Sequence, residues 1–238
     1  MIIKGDCYQY LKEIKENSVD LILIDPPYLI SKESNFKKSS DKTTKEMKTK
    51  YDISIDFGEW DKESINWDFL FSEYYRILKP SGTIIVFYDS WKSGELKLHA
   101  EKNKFKQPRV GMWVKTNPVP INSKLNYLSN AIEFFYTFVK KSKPTFNSKY
   151  DNGIYNYPIC HGKERYKHPT QKPLKLISNL VEKHSNEGDL VLDTFAGTGT
   201  TAHSCINLNR KFIMIERDEK YFKIMKDRIN KLKQMNIN

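Results

Sequence analysis

Two apolar runs, Leu21-Ile22-Leu23-Ile24 and Leu190-Val191-Leu192, each end on an aspartate and open at once into a loop of unusual composition. Asp25 is followed by Pro26-Pro27-Tyr28, and Asp193 by Thr194-Phe195-Ala196-Gly197-Thr198-Gly199-Thr200-Thr201. Short continuous apolar runs are what strands buried on both faces look like. A strand that ends in a carboxylate and opens into a special loop is how open α/β sheets build ligand sites at their carboxyl edge. Strand patterns recur at Ile2-Lys4, Val19-Asp25, Thr83-Tyr88, Val110-Lys115, Ala131-Val139, Leu190-Asp193 and Lys211-Glu216. Between them lie helical patterns at Cys7-Ile14, Ile65-Leu78, Ser90-Asn103, Pro173-His184, Thr200-Leu208 and Glu219-Lys233. This alternation predicts an α/β fold: a seven-stranded, mostly parallel sheet with helices on both faces. Val110-Lys115 and Ala131-Val139 lack an intervening helix, so they are expected as an antiparallel hairpin.

With 238 residues, the chain suits one domain whose core needs no staple. The cysteines Cys7, Cys160 and Cys205 show no CxxC spacing and leave one unpaired, against a zinc site or disulfide framework. They fit a reducing, cytoplasmic setting, and no apolar run approaches membrane-spanning length. The net charge of +11 favours a polyanionic partner, of which nucleic acid is the usual one. A long polar stretch after Tyr28, 31–56, is rich in lysine, carrying Lys32, Lys37, Lys38, Lys42, Lys45, Lys48 and Lys50. It reads either as a solvated insertion or as a mobile basic loop that orders on nucleic acid, and its attachment to Tyr28 favours the latter. A second basic stretch, 140–167, interleaves Tyr150, Tyr155, Tyr157 and Tyr166, a mixture suited to phosphate contact and base stacking.

The glycine loop follows a strand and opens a helix. Glycines let backbone approach a ligand closely, and helix N-terminal N–H groups receive anions. The next strand ends in Glu216, about twenty residues on, where a carboxylate can accept both hydroxyls of a ribose. That order indicates a nucleoside-containing cofactor, and on this motif alone a nicotinamide cofactor remains a competitor. In the other loop, Asp25 and the backbone carbonyl of Pro26 form two adjacent acceptors, fixed by consecutive proline φ angles. They suit the exocyclic amine of adenine or cytosine, whose lone pair is otherwise delocalised into the ring. Tyr28 offers a face on which to stack a base taken out of a duplex.

With these motifs in this order, the sequence resembles the β group of amino-methylating DNA methyltransferases, in which the Asp-Pro-Pro-Tyr catalytic half precedes the cofactor half. The resemblance covers nearly the whole chain. Gly5-Asp6-Cys7, Phe195-x-Gly197-x-Gly199, Glu216 and His168-Pro169-Thr170-Gln171-Lys172-Pro173 match its cofactor motifs. Departures are small: Thr198 stands where serine is frequent and Thr194 where proline is common. The resemblance implies a Rossmann-like methyltransferase fold in a single domain, 1–238, with Leu190-Asp193 and Val19-Asp25 as adjacent central strands. It implies S-adenosylmethionine, leaving as S-adenosylhomocysteine, and no metal. The catalytic residues would be Asp25, Pro26, Pro27 and Tyr28. Those around the cofactor would be Asp6, Cys7, Asp25, His168, Thr170, Gln171, Lys172, Asp193, Phe195, Ala196, Gly197, Thr198, Gly199, Thr200 and Glu216. Lys172 or a neighbouring backbone amide would meet the methionine carboxylate, and Cys7 would line the adenine pocket.

An aspartate at the first catalytic position is the family's usual choice for adenine N6, with cytosine N4 as the alternative. RNA methylation and a non-catalytic nucleic-acid-binding protein are more distant ones. Ile55-Asp56-Phe57-Gly58-Glu59-Trp60-Asp61 and Trp113-Val114-Lys115-Thr116-Asn117-Pro118-Val119-Pro120 resemble small members with a short target-recognition segment, here 115–167. The resemblance implies double-stranded DNA as partner, contacted by Lys37, Lys38, Lys42, Lys115 and Asn117, with base flipping and no membrane. It leaves room for a cognate restriction endonuclease and for a monomer or homodimer.

Overall fold

The computed structural model describes residues 1–27, 65–119, 128–141, 143–166 and 168–235. The chain divides into two compact units, Met1–Pro26 with Asn66–Asn238 and, separately, Pro27–Ile65. The first is described below. Tyr28, Lys37, Lys38, Lys42 and the 31–56 stretch lie outside the described residues.

Eight strands form one sheet: β1 (Ile2–Lys4), β2 (Val19–Ile24), β3 (Leu78–Phe87), β4 (Lys106–Lys115), β5 (Ile132–Val139), β6 (Ile154–Tyr157), β7 (Leu190–Asp193) and β8 (Lys211–Glu216). Their order is β1-β8-β7-β2-β3-β5-β4-β6. Only β5 opposes its neighbours, pairing antiparallel with both β3 and β4. The helices are α1 (Cys7–Tyr10), α2 (Trp67–Ile77), α3 (Ser93–Lys102), α4 (Leu174–His184), α5 (Thr200–Asn207) and α6 (Glu219–Met235). The expected α/β alternation and hairpin are present, and β2 lies beside β7.

The sheet has one strand more than expected. Ile154–Tyr157 pairs parallel with β4, Met112 opposite Ile154 and Lys115 opposite Tyr157, and the Trp113 indole donates to the Tyr157 carbonyl at 2.8 Å. Ile154, Tyr155 and Tyr157 favour a strand, but a run of four inside a polar stretch is too short to mark one; pairing with β4 makes it a strand. The second difference is at β3, which begins at Leu78, not Thr83. Its register on β2 slips between Val19 and Leu21, so Pro80-Ser81-Gly82 form an irregularity inside the strand and not a break before it.

The core follows the predicted periodicities. Leu21, Ile22, Leu23 and Ile24 are essentially inaccessible, as are Ile84, Ile85, Val86 and Phe87 beside them. Asn66 caps α2 by accepting from the Phe69 amide at 3.0 Å. The helix buries Trp67, Leu70, Phe71, Tyr74 and Ile77 at helical spacing. In α4 the buried set is Leu176, Ile177, Leu180 and Val181. From β2 the chain moves outward to β3, whereas from β7 it moves outward to β8 on the other side. The strand order therefore reverses between β2 and β7, which is where an open α/β sheet forms a crevice at its carboxyl edge.

Candidate active site

Asp25 stands just past β2, half-buried, with Pro26 buried behind it. The glycine loop leaves the neighbouring β7. Asp193, at that strand's end, is 4% exposed and accepts from the Phe195 amide at 3.0 Å and the Thr201 hydroxyl at 2.7 Å. Burial drives its carboxyl up to about 7, with Asp25 and Glu216 adding to the rise. Gly197 (φ +51°) and Gly199 (φ +79°) take left-handed backbone that a side chain would strain. At Gly199 a Cβ would also fall 2.7 Å from Met225 Cγ on α6. The buried Thr194 hydroxyl meets Tyr74 Oη at 2.5 Å, a tie to α2 that proline could not make.

Glu216 ends β8 and accepts from the Gly197 and Asp218 amides, both at 2.7 Å. Burial raises its carboxyl, against those two hydrogen bonds. The Gly5 amide donates to the Glu216 carbonyl at 3.0 Å, so the β1–β8 pairing brings Asp6 and Cys7 to the same edge. Asp6 caps α1 through the Tyr8 amide. Cys7 is buried, its thiol pushed up to about 12, first by burial.

The segment preceding α4 closes over the loop. A Cβ on Gly197 would lie 3.8 Å from His168 Nε2. The His168 ring packs on Tyr221 at 4.5 Å, and burial, then Lys172, lowers its pKa to about 4, so it is neutral at pH 7. Thr170 is exposed and turned back onto His168 Nδ1. Gln171 is a bracket: its carbonyl oxygen accepts from the Tyr166 amide and the Thr198 hydroxyl, and its amide donates to the Glu164 carbonyl. The Gln171 side chain thus ties the segment before α4 to the glycine loop.

Lys172 also has partners other than those expected. Its ammonium lies 2.5 Å from Asp25 Oδ2 and 3.2 Å from Glu133 Oε2, and over the Phe87 ring at 5.1 Å. Burial lowers its pKa, but the two carboxylates outweigh burial and hold it above the ordinary value. The expected DNA contacts Lys115 and Asn117 have intramolecular partners as well. Lys115 pairs with Glu133 at 2.8 Å, and Asn117 accepts from the Ile159 amide at 2.7 Å. Strands β5 and β6 both lie inside the 115–167 segment, which therefore contributes to the sheet.

The sequence reading missed Glu133, Arg228 and Tyr221, and took Tyr166 only as one of the tyrosines of a basic stretch. The signal for Glu133 is a lone carboxylate in the apolar run Ile132–Val139. Arg228, 2% exposed, donates to the Thr198 carbonyl, the Thr200 hydroxyl and His203 Nδ1, and stacks on Tyr166 at 4.4 Å. Among the many cations of α6, no sequence signal distinguishes it. Among the described residues, no group of His, Cys, Asp or Glu side chains is arranged to hold a metal ion, and no helix is long and apolar enough to cross a membrane.

Two acidic strand ends flanking a glycine cradle at the sheet's switch point agree with what is similar to this chain. The family of DNA methylases, N6/N4 methyltransferases, matches residues 19–227. The Type II methyltransferase M.HinfI of Haemophilus influenzae is 34% identical across 98% of this chain and 68% of that protein. M2.MboI of Moraxella bovis is 29% identical across 97% of this chain and 88% of its own length. A crystal structure of M1.HpyAVI in complex with SAM superposes with a TM-score of 0.72 at 28% identity, over 97% of this chain and 98% of that one. The chain belongs to the N6/N4 family of DNA methyltransferases.

Proposed function

We propose that the protein methylates the N6 amine of adenine within a specific sequence of double-stranded DNA, with S-adenosylmethionine as donor, in a restriction-modification or epigenetic system. The observation that carries this reading is the placement of Asp25 at the end of β2, beside the glycine cradle of β7. S-adenosylmethionine fits that cradle. Left-handed Gly197 and Gly199 allow close backbone approach, and the Glu216 carboxylate is fixed by two amides at the position expected to take the ribose. When bound, the cofactor supplies a methyl group on a positively charged sulfur.

The chain's own residues do the rest. Phe195, Ala196, Thr198 and Thr200 shape the cradle, Asp193 holds its loop, and Asp6 and Cys7 flank Glu216. His168 and Thr170 close it from above. Asp25 and the Pro26 carbonyl each accept a hydrogen bond from the target amine, so its nitrogen becomes pyramidal and its lone pair becomes available for direct attack on the methyl group; the amine then loses one proton and keeps the other. That amine cannot be reached inside a stacked duplex, so the base must be flipped out, with Tyr28 as its stacking partner and Pro27 fixing the turn. Fixed orientation and hydrogen-bond acceptors then account for catalysis without a covalent enzyme intermediate.

Incorporation of tritiated methyl groups into DNA, followed by nucleoside analysis, is expected to give N6-methyladenine. N4-methylcytosine would overturn the choice of base, and no incorporation would overturn the reaction. Asp25→Ala is expected to abolish incorporation while cofactor binding persists. Undiminished incorporation in that variant would remove Asp25 from the mechanism.

A further inference from the structure

Glu133 is the second rung of the β5–β4 ladder, opposite Trp113, on a strand whose next same-face residue, Phe135, is buried. A carboxylate there needs a reason. It joins an alternating row of charges: Lys115 2.8 Å from Glu133 Oε1, Glu133 Oε2 3.2 Å from Lys172, and Lys172 2.5 Å from Asp25. The Lys172 side chain is 4% exposed. A buried ammonium without adequate counter-ions sheds its proton. Were Asp25 its sole counter-ion, that carboxylate would be tied to Lys172 just when it must turn to the target amine. A second carboxylate relieves the conflict by sharing the ammonium.

We propose that Glu133 is a positioning residue for methyl transfer: as second counter-ion of buried Lys172, it keeps the ammonium charged and in place while Asp25 engages the target amine. The proposal rests on Asp25 being the catalytic carboxylate. Among the described residues, the other charged and titratable groups facing the pair include Lys115 on β4, Cys160 and His168 before α4, and Asp193 at the end of β7. His168 is lowered to about 4 and Cys160 raised to about 12, and Asp193 lies near 7. Between pH 8 and 11 the lysines are therefore the groups of this cluster to follow.

Cofactor-free protein with isotopically labelled lysine gives the Lys172 titration directly by NMR, its signal assigned through Lys172→Arg. In Glu133→Gln the Lys172 midpoint is expected to fall by about one unit or more. The kcat should drop about tenfold, its alkaline limb moving down with that midpoint, while DNA KM and cofactor Kd stay within about twofold. Glu133→Asp, which keeps the charge, should keep the wild-type midpoint. A folded Glu133→Gln with unchanged midpoint and alkaline limb, beside an inactive Asp25→Ala, overturns the proposal alone. Activity persisting in Asp25→Ala overturns the assignment beneath it. Should Glu133→Gln not fold, Asp25→Asn decides: Lys172 is expected to stay charged at pH 8 with Glu133 as its counter-ion, and loss of its charge there overturns the proposal.

Discussion

Glu216 shows how one side chain can serve the fold and the ligand together. Its two oxygens hold the Gly197 and Asp218 amides, and each oxygen retains a lone-pair direction for a ribose hydroxyl. Replacing it with alanine removes the acceptor and loosens the loop, so the cofactor Kd should rise at least about tenfold by calorimetry, one hydrogen bond to a charged group being worth that much. An unchanged Kd would end the ribose assignment. Asp25 and Glu216 were both legible as acids at the ends of apolar runs. Glu133 was not, because its meaning depends on Lys172, a distant residue in sequence that only folding brings within 3.2 Å.

At the scale of elements, the glycine loop is held from three sides: Tyr74 of α2, Gln171 ahead of α4, and Arg228 of α6. The left-handed Gly199 initiates α5 where α6 crosses close by. Gly199→Ala should therefore cost more than the roughly 1 kcal/mol of an ordinary left-handed alanine, since Met225 must also move. Thermal unfolding should show a clear fall in Tm, whereas Gly94→Ala, with nothing within 4 Å of its Cβ, should not lower it. Equal Tm values for the two variants would mean that the loop adapts freely. The strand β6 belongs to this scale too. Its four residues were read as part of an irregular basic stretch, because no local pattern marks them and β4 alone supplies their partners.

Across the whole molecule, buried ionisable groups set opposing pH trends. Asp193 has a folded-state pKa of about 7 against an ordinary 3.8. Its folded form binds more protons in that interval, so stability is full below pH 3.8 and declines as pH rises to about 7. His168, His184 and His203 are lowered to about 4 by burial; their unfolded forms bind more protons, so stability falls as pH drops from 6.5 toward 4. Asp193→Asn should remove the first trend only: its Tm relative to the unsubstituted protein should be higher at pH 8 than at pH 5. A constant difference would mean that Asp193 ionises normally.

By itself the sequence determined the α/β rhythm, the acids at the strand ends and the two loops, because burial period, proline, glycine and terminal carboxylates act within a few residues of where they stand. The tertiary structure decided the rest: the eighth strand, the bracket of Gln171, and the charge row from Lys115 to Asp25. Each depends on a partner far along the chain, and a hydrogen bond or ion pair has no counterpart in local sequence until the fold closes the distance.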